Sequence, residues 1–294
     1  QRLMSSSVEY RKGLLLTLGG VLVFTPDSLL IRLTDVDPFT LAVGRGVPAG
    51  LIMLLGYALV TRQGLLSSVR AIGRCGVLVC LLQGTCSITF LAAFSYTSVA
   101  NVLVIFACTP LIAALLSWLI FREKVSASTY WAIVGAASGL VIVASGSFGG
   151  IRWFGDSLAL LNAVLLATVF TILRGHREIN MIPASGIGLL IGALVSIPFA
   201  GFPPLDALQV TWLALAGVII LPLALTLLTL GPRYLPAPEV GMIMLLEAVL
   251  GPLWVWLVIQ ESPGIPTLIG GTVVLVVLFV HSLWRLRTSG LDSG

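Results

Sequence analysis

Residues 96–123 read YTSVANVLVIFACTPLIAALLSWLIFRE, and residues 234–261 read YLPAPEVGMIMLLEAVLGPLWVWLVIQE. The two stretches align without a gap at an offset of 138. Seven of the 28 positions are identical: Tyr96, Val102, Ile105, Leu115, Trp118, Leu119 and Glu123 fall on Tyr234, Val240, Ile243, Leu253, Trp256, Leu257 and Glu261. The second half of the chain therefore repeats the first. If each half holds an odd number of membrane helices, the halves lie inverted with respect to one another. Secondary transporters are often built this way, with a substrate site between the halves near mid-membrane.

Composition agrees with a membrane setting. Of 294 residues, 58% are hydrophobic and 10% are charged, and the mean hydropathy is +1.09. A soluble domain carries about 25% charged residues, so this chain has too little polar surface for water. The net charge of +4 comes from Lys and Arg in short loops. It reads as topology, and no nucleic-acid patch is expected. Cys75, Cys80, Cys86 and Cys108 lie in apolar runs with no C-x-x-C spacing, so neither a disulfide framework nor a metal site is expected. The first apolar run, Gly13 to Leu33, is long enough to span and has no small-residue cleavage site after it. It reads as a retained helix, not a cleaved leader.

A spanning helix needs about 20 mostly apolar residues. Ten such segments are expected: 12–33, 39–61, 75–95, 99–121, 127–146, 154–174, 182–200, 210–231, 238–259 and 266–284. With the N-terminus in the cytoplasm, 13 of the 16 Lys and Arg fall on the inner side, Arg62, Arg70, Arg74, Arg122, Lys124, Arg174 and Arg177 among them. The positive-inside rule thus puts both termini in the cytoplasm. The expected fold is all-α, two inverted five-helix repeats at 1–149 and 150–294 in a multi-pass membrane protein. The expected compartment is a bacterial inner membrane.

Asp37-Pro38-Phe39 followed by Arg45 resembles the start of the second helix in EamA-type transporters of the drug/metabolite transporter superfamily. The two 28-residue stretches resemble that family's duplicated signature. Ile133–Ala136 and Leu268–Gly271 resemble the glycine pairs of its fifth and tenth helices. The likeness covers 12–284. One departure is Glu247-Ala248, where the family's second copy often has Glu-Pro; Pro110 keeps the proline in the first copy. The resemblance implies a secondary transporter, with amino acids among the family's solutes and net export as the expected direction. No cofactor is implied.

Ionisable groups at membrane depth are costly and face a cavity or a partner. Asp27 and Arg45 each sit six residues from the outer ends of adjacent antiparallel helices, roughly 9 Å deep. They form a structural ion pair, or Arg45 holds a substrate carboxylate, or Arg45 snorkels outward. Glu247 lies about 13 Å from the inner end of its helix, near the midplane. It is a candidate proton-coupling group, with Asp27 the second candidate; the bland alternative is a neutral Glu bonded to a neighbouring helix. Thr109 is its repeat partner. Glu239 and Asn101 read as helix-start caps, and Glu123 and Glu261 as architectural ties at helix ends.

Neutral polar groups fill out the site. Gln83 and Thr85, with Asn162 and Thr168, are candidate hydrogen-bonding groups for a cavity. Trp254, seven residues after Glu247, shares its helix face and offers an aromatic wall or a lipid contact. His176 and His281 receive no chemistry. Pro26, Pro48, Pro110, Pro198, Pro222 and Pro252 interrupt apolar runs as hinges or static kinks. Gly46-x-x-x-Gly50, Gly135-x-x-x-Gly139 and Gly188-x-x-x-Gly192 allow close helix contact within the chain or in a homodimer. The expected partners are a small-molecule substrate, lipid and, with proton coupling left open, a proton. A passive channel would show a polar stripe. An intramembrane enzyme would show a nucleophile, a dyad or metal ligands at depth. The sequence displays neither pattern.

Overall fold

The computed structural model of the chain describes residues 2–62, 70, 72–121, 127–146, 151–176, 178–235 and 237–291, and among these there are helices and connections and no strand. The helices are α1 (Arg2–Phe24), α2 (Asp27–Thr34), α3 (Pro38–Thr61), α4 (Gly73–Tyr96), α5 (Val99–Phe106), α6 (Thr109–Phe121), α7 (Ala127–Ser145), α8 (Arg152–Gly175), α9 (Ile182–Ser196), α10 (Ala207–Ala214), α11 (Leu221–Leu230), α12 (Ala237–Ile259) and α13 (Ile265–Leu291). Glu123, Arg122, Lys124 and Arg177 lie outside the described residues, as does the side chain of Glu239.

Seven segments among the described residues are long and apolar enough to cross a membrane: Arg11–Thr34, Pro38–Thr61, Gly73–Tyr96, Val99–Leu116, Arg152–Gly175, Ile182–Phe199 and Ala207–Leu230. Three shorter apolar stretches, Val134–Val143, Leu246–Ile259 and Ile265–His281, lie where the sequence expects the fifth, ninth and tenth spans. The protein is thus an all-helical, multi-pass bundle.

Three of the expected continuous helices are interrupted. The first breaks between α1 and α2 because Pro26 has no N–H for the Leu22 carbonyl. The Thr25 hydroxyl donates to that carbonyl instead, at 3.0 Å. The fourth breaks between α5 and α6, four residues after Leu103. Pro110 leaves the Phe106 carbonyl without its helical donor, and the chain tightens to a 3.0 to 3.1 Å pair of i→i−3 bonds, Cys108 to Ile105 and Leu111 to Cys108. The eighth starts earlier than expected, at Ala207, under a capping box between Asp206 and Gln209. It then loosens to a π-helical stretch, Leu215–Ile220, just ahead of Pro222. Pro48 and Pro252 sit inside continuous helices.

Helix neighbours obey an exchange of the two halves. Helices α3 and α9 pack together, as do α7 and α13, and each of these pairs maps onto itself. The α4–α8 contact corresponds to α11–α1, and α4–α9 corresponds to α11–α3. The contacts of α5 and α6 with α8 correspond to those of α12 with α1 and α2. All three small-residue motifs serve these seams. A Cβ on Gly50 would stand 2.7 Å from the Gly186 carbonyl oxygen of α9, and one on Gly139 would stand 2.8 Å from that of Gly270 on α13. Gly188 and Gly192 lie equally close to the Cys80 and Gly84 carbonyls of α4. Small residues let backbones approach to this distance in lipid. Large apolar side chains point outward instead: Trp118, Trp131, Trp153, Trp256 and Trp284 are all about half exposed or more, as lipid-facing residues are.

Candidate functional site

The break at Pro26 places Asp27 at the first turn of a new helix, α2. Free N–H groups at a helix start favour a carboxylate. Arg45, in the second turn of α3, reaches across and donates from Nη2 to Asp27 Oδ2 at 2.7 Å. Both side chains are 4% exposed or less. The pair is held by a single bond. Asp27 Oδ1 and Arg45 Nη1 are buried with no hydrogen-bond partner among the described residues. The backbone of Arg45 is pressed against the π-helical stretch, where a Cβ on Gly217 would lie 2.8 Å from Arg45 Cα. Only glycine leaves room for that approach.

Arg45 also lines a cavity between the halves, of about 880 Å³ including its mouth. The first half contributes Phe24, Arg45, Gln83, Phe90 and Phe106; the second contributes Asn162, Phe170, Leu225, Thr229 and Glu247. Phe90 packs on Phe24 and Phe106 with ring centroids 5.9 and 5.4 Å apart, giving the cavity an aromatic wall. Glu247 is 7% exposed and hydrogen-bonds to no described residue. Asp27 is near enough to act on its charge. One carboxyl group, Glu247, and the Arg45 guanidinium thus face a mostly apolar space, with Asp27 bonded to Arg45 off its lining. Such a space suits a ligand with an apolar body and a few polar groups.

The other candidate residues divide. Gln83 lines the cavity, is 8% exposed, and its amide makes no hydrogen bond to a described residue. Asn162 lines it too, while its Nδ2 ties α8 to α4 through the Cys86 carbonyl at 2.6 Å and the Thr89 hydroxyl at 2.7 Å. Thr109 is buried at the start of α6, its hydroxyl without a partner among the described residues, away from the cavity lining. Trp254 is about half exposed, lies off the cavity lining, and donates from Nε1 to Thr25 Oγ1 at 3.3 Å. Thr85 and Thr168 face outward, each bonded to its own helix.

Two architectural expectations are corrected. The cap of α5 is Ser98, whose hydroxyl accepts from the Asn101 amide at 3.2 Å; the Asn101 side chain bonds Asp156 instead. Glu261 does not tie the α12–α13 turn but accepts from the Val99 amide and pairs with Arg32. Asp156, buried at 6% exposure, is absent from the sequence-based candidates. His176 lies 3.2 Å from Cys75 Sγ through Nε2. At the connection before α3, Asp37 accepts from the Phe39 and Thr40 amides and the Thr40 hydroxyl. Burial pushes its carboxyl up, but these bonds and one from the Gly201 amide outweigh it and hold it below the ordinary carboxylate value.

No protein of curated function matches the chain. A crystal structure of a protein 17% identical in sequence superposes with a TM-score of 0.69, over 92% of this chain and 98% of that one. At that identity the likeness shows the fold alone. The sequence model of the EamA-like transporter family matches twice, at residues 11–145 and 153–283. The chain belongs to the EamA-like transporter family, and it is an integral membrane transporter of small molecules.

Proposed function

We propose that the protein is a secondary active transporter that exports small amphipathic metabolites, amino acids or their relatives, by alternating access. The observation that carries this reading is the cavity between the halves. Arg45 from the first half and Glu247 from the second bring opposite charges to one largely apolar space. Arg45 Nη1 has no hydrogen-bond partner among the described residues, so it can donate to a substrate carboxylate, whose charge the substrate's own ammonium offsets. Glu247 and the Gln83 amide meet an amine. Glu247, and Asp27 after it, is the group that exchanges a proton as the cavity passes between dry and wet; solute exchange without a proton is the alternative coupling.

The ten apolar segments are read as ten spans in two inverted repeats, 1–149 and 150–294, with both termini in the cytoplasm of a bacterial inner membrane. The exchange-related helix contacts support the twofold relation. Use of all three small-residue seams inside the chain supports a monomer over a homodimer. One observation favours a second reading: the face of Phe24, Phe90 and Phe106 beside Glu247 also suits an organic cation. A thermal-shift screen in detergent separates the two. Ligands that bind only the folded state raise the melting temperature. Amino acids should do so and sugar phosphates should not. Stabilisation by quaternary amines alone would replace the amino-acid reading with the cation one.

A further inference from the structure

The cavity lining extends toward one end of the bundle. Leu173, Ser185 and Thr229 lie on its wall within a turn of the ends of α8, α9 and α11. It therefore reaches the end of the bundle where α8 stops and α9 begins. Toward the opposite end it meets an apolar layer that includes Leu41, Leu91, Phe94, Val99 and Leu103. At that same end lies a polar network. Arg32 Nε pairs with Glu261 Oε2 at 3.2 Å, and Arg32 Nη2 donates to the Thr97 carbonyl at 2.7 Å. The Val99 amide donates to Glu261 Oε1 at 3.2 Å. Thr97 Oγ1 donates to Asp156 Oδ1 at 2.7 Å, and Asn101 Nδ2 donates to both Asp156 oxygens at 3.1 and 3.3 Å. Thr267 Oγ1 donates to Asn101 Oδ1 at 2.5 Å.

Arg32, Thr97, Val99 and Asn101 belong to the first half; Asp156, Glu261 and Thr267 belong to the second. Every bond named except that from Arg32 to Thr97 crosses between the halves. We propose that this network is a latch that holds the cavity shut at the Arg32 end, and that it parts when the cavity opens there. The inference rests on the alternating-access reading above.

The chemistry suits a contact that must break and re-form. The Arg32 and Glu261 side chains are 26% and 28% exposed, so water replaces their bonds at little cost when they separate. Asp156, Asn101 and Thr267 are buried in the closed form and satisfy one another there. All three are polar, so they tolerate water in the open one. A permanent tie at this level needs only apolar packing, which the layer beneath already supplies.

Ser87, half-buried on the cavity wall, is the reporter position. In a Ser87→Cys version with Cys75, Cys80, Cys86 and Cys108 replaced by Ala, a membrane-impermeant maleimide is applied from either face of native membranes. Phe202→Cys, in the exposed connection bonded to Thr40, marks the Arg32 face. This reporter protein, with the network intact, should react at position 87 chiefly from the opposite face. Glu261→Gln should raise the rate from the Arg32 face roughly two- to fivefold, the scale of one partly exposed pair, and Asp156→Asn, which loses a buried charged acceptor, by at least as much. Thr267→Val, which removes one neutral bond, carries the same expectation if a charge variant fails to fold. Unchanged labelling from the Arg32 face in folded Glu261→Gln, Asp156→Asn and Thr267→Val would overturn the latch. Equally fast labelling of the reporter protein from both faces would instead sink alternating access and leave a passive pore.

Discussion

Removing either member of the Asp27–Arg45 pair should be among the most damaging polar substitutions in the chain. The two groups meet at 2.7 Å with at most 4% exposure. Asp27→Asn strands a guanidinium in the bundle, and Arg45→Gln strands a carboxylate. Loss of one partner of a buried pair costs about 3–5 kcal/mol. At about 2–4 °C per kcal/mol for a chain of a few hundred residues, that is a fall of roughly 6–20 °C in melting temperature. The double variant leaves two neutral amides that bond to one another, and it should recover at least half of the summed loss. Tryptophan-fluorescence melting of the four proteins in detergent closes the cycle. Strictly additive losses would refute the reasoning, because groups that share a bond cannot respond independently. A second readout separates architecture from binding. Arg45 lines the cavity, and its Nη1 has no partner among the described residues, so the folded double variant should lose substrate flux in proteoliposomes. Full flux there would mean that the pair only holds α2 against α3.

Three further outcomes follow from single side chains. Glu247→Gln should keep the fold and solute exchange but lose accumulation driven by an imposed proton gradient; full gradient-driven flux in proteoliposomes would remove Glu247 from the coupling. Gly217→Ala puts a methyl group 2.8 Å from Arg45 Cα; it should cost about 1–3 kcal/mol as an overpacking change and weaken substrate binding, read as a lower melting temperature together with a smaller ligand-induced shift. Asp37→Ala removes the cap of α3 and should cost about 1 kcal/mol at neutral pH. Because the folded carboxyl titrates below 3.8, its contribution is complete above that pH and is lost as pH falls below it. The melting curves of Asp37→Ala and unaltered protein should therefore converge in strong acid and nowhere else.

The apolar segments and the duplication could be read from the sequence because each rests on a local signal: runs of about 20 apolar residues, or a gapless alignment. The break at Pro26 and the depth of Arg45 and Glu247 were equally local. Asp156 could not be found this way. It stands three residues inside an expected helix start, where a charge is unremarkable, and its burial comes from the Thr97–Asn101 turn folding over it from another part of the chain. Trp254 shows the opposite failure. Seven-residue spacing puts it on the same face as Glu247, but two turns along the helix is roughly 10 Å, and there its neighbour is Thr25 and it stands off the cavity lining. The π-helical stretch has no sequence signature at all. It arises where a proline, a glycine and the Arg45 backbone compete for one place.

That stretch sets the angular register of α11. A π turn accommodates one residue more than an α turn, so everything after Leu215–Ile220 is rotated by about 100° relative to a continuous helix. The stripe Leu221, Leu225 and Leu228 faces the cavity only with this rotation in place. The length of the chain at 215–220, rather than the identity of any wall residue, decides which side of α11 a solute meets. A one-residue deletion there would present a different wall built from the same amino acids. Relatives that differ by such a deletion would then handle different solutes while keeping Arg45, Gln83 and Glu247 in place.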